Sequence, residues 1–335
     1  MPKACMENVR CRATAHVAEL RQMVETALAQ LVDELQEPVE LYAPVRYVLS
    51  GGGKRMRPVL LMLAAELYGR PAATVLPAAL AVEVFHTFTL VHDDIMDHAA
   101  ERRGQPTVHV RWDEATALLC GDYLMGLSYK LLSQVEGVPL SRVLALYHRM
   151  VERLCEGQAL DKAFEMRAQV SVADYLHMVD GKTGALLELC LQLGGLLGGA
   201  EASDLATLEK VGRNLGRAFQ IQDDLLDLTA TSAHWGKPIG ADLLEGKKTF
   251  PLLAALEQAE AAEQAWFYER LQRRFRPEEI PEARRRLEYL GGLEAAQRAV
   301  AAYLDEARAA LAQLPGGLAA EALAWFLESL EQRSY

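Results

Sequence analysis

The feature that most constrains this 335-residue chain is helical periodicity that runs almost from end to end. Ala, Leu, Glu, Gln and Arg dominate, and β-branched runs are scarce, so nearly every long segment reads as an amphipathic or buried helix. The spacing predicts helices over 13–37, 39–49, 57–68, 74–97, 113–133, 140–165, 172–198, 203–229, 248–260, 262–273, 278–289, 293–313 and 317–331. Gly and Pro punctuate the breaks: Gly51–Gly53, Gly69 with Pro71, Gly104 with Pro106, Gly137 with Pro139, Gly198–Gly199, and Gly236 to Gly246. No Pro/Ser-rich linker separates two halves. The expected architecture is all-α, a single large bundle of antiparallel helices over 1–335.

Composition narrows the function. Hydrophobic residues make up 51% and charged residues 24%, which is globular and excludes disorder. Asp plus Glu number 46 against 35 Lys plus Arg, a net charge of −11. An acidic surface argues against general nucleic-acid binding, so a bound anion must be held by local cations or by metal. The best candidate for a membrane span, Leu186 to Leu197, is short and interrupted by Glu188 and Gln192, so no span is expected. The N-terminus lacks the apolar core of a signal peptide. Cys5, Cys11, Cys120, Cys155 and Cys190 show no CxxC spacing and read as reduced thiols, mostly in the core, of a cytoplasmic protein.

Two long, largely apolar helices, 74–97 and 203–229, should lie at the centre of the bundle, and both end in DDxxD: Asp93, Asp94 and Asp97, then Asp223, Asp224 and Asp227. At 100° per residue the first and last aspartates of each cluster sit about 40° apart, one turn along. Carboxylates stacked this way repel one another, and burial raises the cost unless cations compensate. The alternative is a solvated helix end, but negative charge there opposes the helix dipole. Hard oxygen ligands at this spacing suit Mg²⁺, which combines one or two carboxylates with water and substrate phosphates.

Cations accompany the aspartates. Gly51-Gly52-Gly53-Lys54-Arg55-Met56-Arg57-Pro58 places three of them on a glycine-rich turn before a helix, without P-loop spacing. Arg102 and Arg103 follow Asp97 by five and six residues. His86 lies two turns before Asp93, about 20° from it around the helix, so it shares the aspartate face or sits in the core. Gln220 stands about 60° from Asp223. Lys182 and Thr183 offer a cation and a hydroxyl on an apolar helix, where a lysine needs an anionic partner. Gly157-Gln158-Ala159-Leu160-Asp161 puts an amide and a carboxylate on one face. The stretch holding Lys237, Asp242, Lys247 and Lys248 could close over an anion.

Together these motifs, in order GGGKRMRP, FHTFTLVHDDIMD, ERRGQPTVH, GQALD, KTG, FQIQDDLLD, GKPIGADL and GKKTFP, resemble the trans-isoprenyl diphosphate synthases over roughly residues 40–255. The pattern is most similar to archaeal-type geranylgeranyl diphosphate synthases. The resemblance implies an all-α fold around a central cavity, a homodimer, and three Mg²⁺ ions. It implies that Asp93, Asp97 and Asp223 ligate Mg²⁺, with Asp94, Asp224 and Asp227 in support, and that Asp161 and Asp242 act through water. Lys54, Arg57, His86 and Arg103 would hold isopentenyl diphosphate. Arg102, Lys182, Lys237 and Lys247 would hold the allylic diphosphate, which is dimethylallyl, geranyl or farnesyl diphosphate. Thr183 and Gln220 would place oxygens near the developing allylic cation. The C-terminal Arg333 is left without a role.

The same resemblance ties product length to the fourth and fifth residues before the first aspartate, here Thr89 and Phe88. One aromatic, at the fifth position, points to a C20 product, with farnesyl diphosphate as the alternative. Phe88 lies about 140° around the helix from Asp93, so spacing also allows an ordinary core Phe. Class I terpene cyclases, head-to-head synthases and non-catalytic partner subunits are the competing readings. The first two normally lack a second DDxxD or the GGKRxRP and RRG motifs, and the third would be expected to lose a cluster.

Overall fold

The computed structural model describes residues 3–230 and 239–331, and most of these are helical, with a single two-strand hairpin among them. The helices are α1 (Lys3–Glu34), α2 (Val39–Leu49), α3 (Met56–Glu66), α4 (Leu76–Met96), α5 (Val108–Arg111), α6 (Glu114–Leu132), α7 (Leu140–Met166), α8 (Val172–Val179), α9 (Ala185–Gly198), α10 (Ala202–Thr229), α11 (Ala241–Glu245), α12 (Phe250–Gln258), α13 (Ala261–Arg273), α14 (Ile280–Tyr289), α15 (Gly292–Leu311) and α16 (Leu318–Glu331). The expected all-α class is observed, and the predicted ends agree to within a few residues for most elements. The exceptions have local causes. The hairpin pairs Glu101–Arg102 with Gln105–Pro106 through a two-residue turn at Arg103 (φ 55°) and Gly104 (φ 73°). Two consecutive positive φ values match the right-handed strand twist, which is why Gly occupies the second turn position. The predicted 172–198 helix is interrupted by one π-helical turn, Asp180–Gly184. Lys237 and Arg333 lie outside the described residues.

The chain divides into two compact units, each built from three segments, and four of the five boundaries fall inside helices α7, α9, α10 and α16, the fifth in the loop before α16. The first unit comprises residues 1–146, 190–206 and 314–325. Its α4 buries Ala78, Ala79, Leu80, Ala81, Val82, Val84 and Phe85, a run apolar except for the buried Glu83. Of the described helices, Ala72–Met96, not 186–197, is the one apolar and long enough to cross a membrane, yet 61% of its apolar window is packed inside the protein. Glycines bring α9 against α3: a Cβ on Gly194 would stand 2.1 Å from the Leu61 carbonyl oxygen. Helix α1 docks through Ala13, Val17, Leu20, Val24 and Leu28, a buried stripe at helical spacing.

The second unit comprises residues 147–189, 207–313 and 326–335. Its core joins Leu228, Leu243, Leu252, Leu256, Phe267, Phe275, Ile280 and Leu287. Here too a glycine sets the closest crossing, since a Cβ on Gly157 of α7 would lie 2.1 Å from the Lys182 backbone nitrogen. That contact seats the GQALD segment directly against the turn carrying Lys182 and Thr183. Cys120 and Cys190 are buried as expected, and burial pushes both thiols up to about 12, whereas Cys11 and Cys155 are exposed.

Candidate active site

In the first unit the DDxxD cluster closes α4. Asp94 is 5% exposed, and Asp93 and Asp97 are half-buried. The Asp97 amide donates to the Asp93 carbonyl at 2.9 Å, which ends the helix at the motif. Arg102 reaches back from the hairpin and grips one Asp94 oxygen with Nε at 2.8 Å and Nη2 at 2.7 Å. Desolvation raises the Asp94 pKa while this ion pair opposes the rise.

The Gly51–Gly53 turn carries Lys54, exposed, and Arg57, half-buried. Arg57 Nη1 lies 3.0 Å from His86 Nε2. Burial, then Arg57, Arg103 and Arg102, hold the His86 pKa well below the ordinary imidazole value. The ring is therefore neutral, its Nε2 accepts from Arg57, and its Nδ1 carries the proton. Arg103 donates to the Gly52 carbonyl. Four of the predicted cation-site residues, Lys54, Arg57, His86 and Arg103, thus converge on one turn and its α4 neighbour. Sequence reasoning left Arg55 without a role, and the structure buries it against Glu83 at 2.7 Å and Glu25 at 3.0 Å.

Phe88 stacks edge-on against His92, with centroids 4.8 Å apart, and tilts against Phe85 at 5.2 Å. His92 in turn lies over α6, where a Cβ on Gly121 would meet its Nε2 at 2.1 Å. The Thr89 hydroxyl donates to the His86 carbonyl at 2.8 Å, so Thr89 is tied to its own helix.

In the second unit the cluster lies near the end of α10, and its environment differs. Asp224 and Asp227 are each 3% exposed. Asp224 accepts from the Tyr175 hydroxyl at 2.6 Å, the Phe250 amide at 3.0 Å and Gln220 Nε2 at 3.0 Å. Thr183 donates to Gln220 Oε1 at 2.9 Å, so Thr183, Gln220, Asp224 and Tyr175 form one hydrogen-bonded chain. Desolvation, then the charge of Asp242, push the Asp224 pKa up to about 7 despite these donors. Asp242 donates its backbone N–H to Asp227 Oδ2 at 3.2 Å, which places α11 beside the cluster.

Lys182 Nζ pairs with Asp161 at 2.5 Å. The π-turn that presents it is clamped from behind: Arg217 binds both Asp180 oxygens, at 2.7 and 2.6 Å, and Arg153 donates to the Asp180 carbonyl at 3.0 Å. Lys247 pairs with Glu245 at 2.6 Å and stands 4.0 Å from Asp242. Lys248 instead donates to the Phe164 carbonyl at 2.6 Å, bracing the chain. Tyr175, Asp180 and Arg217 were missed in the sequence because none lies in a motif with chemical spacing. The only available hint was that buried carboxylates need donors.

Among the described residues, no three His, Cys, Asp or Glu side chains are grouped to hold a metal ion. Mg²⁺ takes few protein ligands and completes its shell with water and phosphate. The carboxylates of both clusters are hard-oxygen donors, and burial, then the charge of Asp242, raise the Asp224 pKa. A divalent cation suits both observations.

A polyprenyl synthetase family model matches residues 38–287. A geranylgeranyl diphosphate synthase from Methanosarcina mazei is 44% identical over 237 residues, covering 70% of this chain and 73% of that protein. A farnesyl diphosphate synthase from Geobacillus stearothermophilus is 38% identical, covering 72% and 84%. The crystal structure of a polyprenyl synthase from Caulobacter crescentus, complexed with calcium and isoprenyl diphosphate, superposes with a TM-score of 0.88 at 30% identity, covering 97% of this chain and 98% of that one. The chain belongs to the polyprenyl synthetase family and is a trans-prenyltransferase.

Proposed function

We propose that this enzyme condenses isopentenyl diphosphate with allylic diphosphates and releases geranylgeranyl diphosphate as its main product. The observation that supports the reading is that cationic side chains stand beside the acidic residues of each unit, Arg102 against Asp94 in the first and Lys182 against Asp161 in the second. Lys54, Arg57 and Arg103, with neutral His86, are assigned to isopentenyl diphosphate. Lys182, Lys247 and Arg102 are assigned to the allylic diphosphate, and Lys237 belongs to this set by motif alone. Asp93, Asp97 and Asp223 are assigned as Mg²⁺ ligands, with Asp94, Asp224 and Asp227 in support and Asp161 and Asp242 acting through water. The family expectation is three ions.

Bound Mg²⁺ would supply Lewis-acid stabilisation of the diphosphate leaving group. The chain's own residues supply the rest. Lys182 stands against Asp161, so its ammonium is held in place and available to a phosphate oxygen. The hydroxyl of Thr183 is committed as a donor to Gln220, so its lone pairs face outward as acceptors, suited to a developing carbocation. Arg57 donates to His86, which fixes its guanidinium beside the turn assigned to the second diphosphate. Carbon–carbon bond formation follows from the isopentenyl double bond, and the departing diphosphate is the base that takes the proton.

Phe88 supports the C20 assignment as the floor of the growing chain, braced by His92 and Phe85. The enzyme is further read as a cytoplasmic homodimer, for which the exposed apolar residues Val110, Leu118 and Leu119 supply a surface. The test is product analysis: incubate with Mg²⁺, isopentenyl diphosphate and dimethylallyl diphosphate, then chromatograph the dephosphorylated alcohols. Geranylgeraniol is expected. Farnesol or longer alcohols would remove the C20 assignment, and no elongation from any allylic primer would sink the catalytic reading.

A further inference from the structure

Three successive carbonyls of the Gly51–Gly53 turn each accept from a different arginine. Gly51 O receives Arg55 Nη2 at 2.9 Å, Gly52 O receives Arg103 Nη1, and Gly53 O receives Arg21 Nη2 at 3.0 Å. Arg21 belongs to α1, outside the residues that match the family model. From the same helix Glu25 reaches Arg55, at 3.0 Å to Nε and 3.4 Å to Nη2.

Arg55 is the centre of this arrangement. It is 5% exposed, so its charge has lost most of its water and must be paired. Glu83 of α4 and Glu25 of α1 pair it from two sides. Its backbone sits at φ 48°, a left-handed conformation that costs a non-glycine residue about 1 kcal/mol or more and needs surroundings that enforce it. Lys54, just before it, and Arg57, two residues after it, are those assigned to the diphosphate. A left-handed residue between them fixes the direction in which each departs.

Helix α1 itself is firmly seated. Its apolar stripe is buried, and His16 Nε2 lies 2.6 Å from Glu66 of α3. Arg21 is exposed and Glu25 is only half-buried, so neither is needed to dock the helix.

We propose that Arg21 and Glu25 of the N-terminal helix are positioning residues for the diphosphate-binding turn. Through Gly53 and Arg55 they hold Lys54 and Arg57 in the geometry that binds isopentenyl diphosphate. The proposal rests on the assignment of Lys54 and Arg57 made above. Neither Arg21 nor Glu25 touches substrate in this scheme. Their contribution is expected to fall on isopentenyl diphosphate, because their contacts run to Gly53 and Arg55, next to Lys54 and close to Arg57.

The test compares Arg21→Ala, Glu25→Ala and the double variant with Lys54→Ala, in full-length enzyme with saturating Mg²⁺. The double variant is expected to raise the KM for isopentenyl diphosphate roughly five- to tenfold, the range for about one lost ordinary hydrogen bond. The allylic KM and kcat should stay within about twofold, and Arg21→Lys should recover part of the loss while Arg21→Ala does not. A purely structural role would lower the melting temperature and shift both KM values together, and that result overturns the proposal. It is equally overturned if the isopentenyl KM of the double variant matches wild type while Lys54→Ala raises it. An unchanged isopentenyl KM in Lys54→Ala overturns the assignment of the turn itself, and this proposal with it.

Discussion

The two DDxxD clusters share a sequence pattern and a helical setting, yet the structure balances their charge by opposite means. Asp94 is held by a full positive charge on Arg102, which is itself 40% exposed on the hairpin. Asp224 accepts, among the described residues, from the neutral donors Tyr175, Gln220 and the Phe250 amide, which lie in the interior of its unit. The first arrangement tolerates water and movement of the hairpin. The second keeps a carboxylate poised between charge states, because burial and Asp242 outweigh three hydrogen bonds. One motif therefore sets one middle aspartate in an ion pair and the other among neutral donors. The difference lies entirely in what packs behind the middle aspartate.

The largest effect is expected where the clusters should be alike. Asp93→Ala and Asp223→Ala should each reduce kcat by about 10²–10³-fold or more, the scale for losing a principal electrostatic stabiliser. Steady-state rates at saturating Mg²⁺ check this, and near-normal turnover in either variant would break the assignment of that cluster as a metal site.

Next comes stability, where the clusters should part. Asp224→Ala strands the 2%-exposed Tyr175 and the buried Phe250 amide, at about 1–3 kcal/mol for each donor left unpaired. Asp94→Ala releases Arg102 to water and should cost about 1 kcal/mol or less. Urea denaturation of the metal-free variants decides the matter, and equal losses would erase the distinction.

A smaller effect sharpens the division of labour. Phe88→Ala should shift the product mixture towards longer chains, while Asp224→Asn should slow the reaction without altering chain length. Chromatography of the alcohols reads both, and an unchanged distribution for Phe88→Ala removes it as the floor.

The smallest is the response to acid, and its sign differs between units. The folded pKa of His86 lies below its ordinary value of 6.5, so the stability it contributes is present above 6.5 and lost as pH falls beneath it. The pKa of Asp224 is raised from 3.8 to about 7, so its ionisation penalises the fold at neutral pH. That penalty eases as pH falls from about 7 towards 3.8. In metal-free protein taken from pH 7.5 to 5.5, His86→Gln should gain more stability than wild type, and Asp224→Asn should gain less. Denaturation midpoints at the two pH values test both signs.

Much of this was legible in the residues alone. Periodicity placed the helices, since an amphipathic or fully apolar repeat at 3.6 residues has few other ways to bury its surface. The DDxxD spacing placed two pairs of carboxylates on one helix face each, because helix geometry is local. The clustering of Lys54, Arg57, His86 and Arg103 was signalled as chemistry but not as a contact, since 32 residues separate His86 from Lys54 in sequence. The π-turn at Asp180–Gly184 was not legible: its cause is Arg217, 37 residues away, closing on both oxygens of Asp180. Nor could spacing tell that Arg55, rather than its neighbours, would be the buried member of GGGKRMRP. That outcome was decided by Glu25 and Glu83 meeting it from two other helices. Sequence by itself determined helix positions, family and the inventory of charges, because those follow from local geometry and residue type. Tertiary structure alone decided which charges are paired, which are poised and which are spent holding the backbone, because desolvation and Coulomb energies depend on neighbours that only folding brings together.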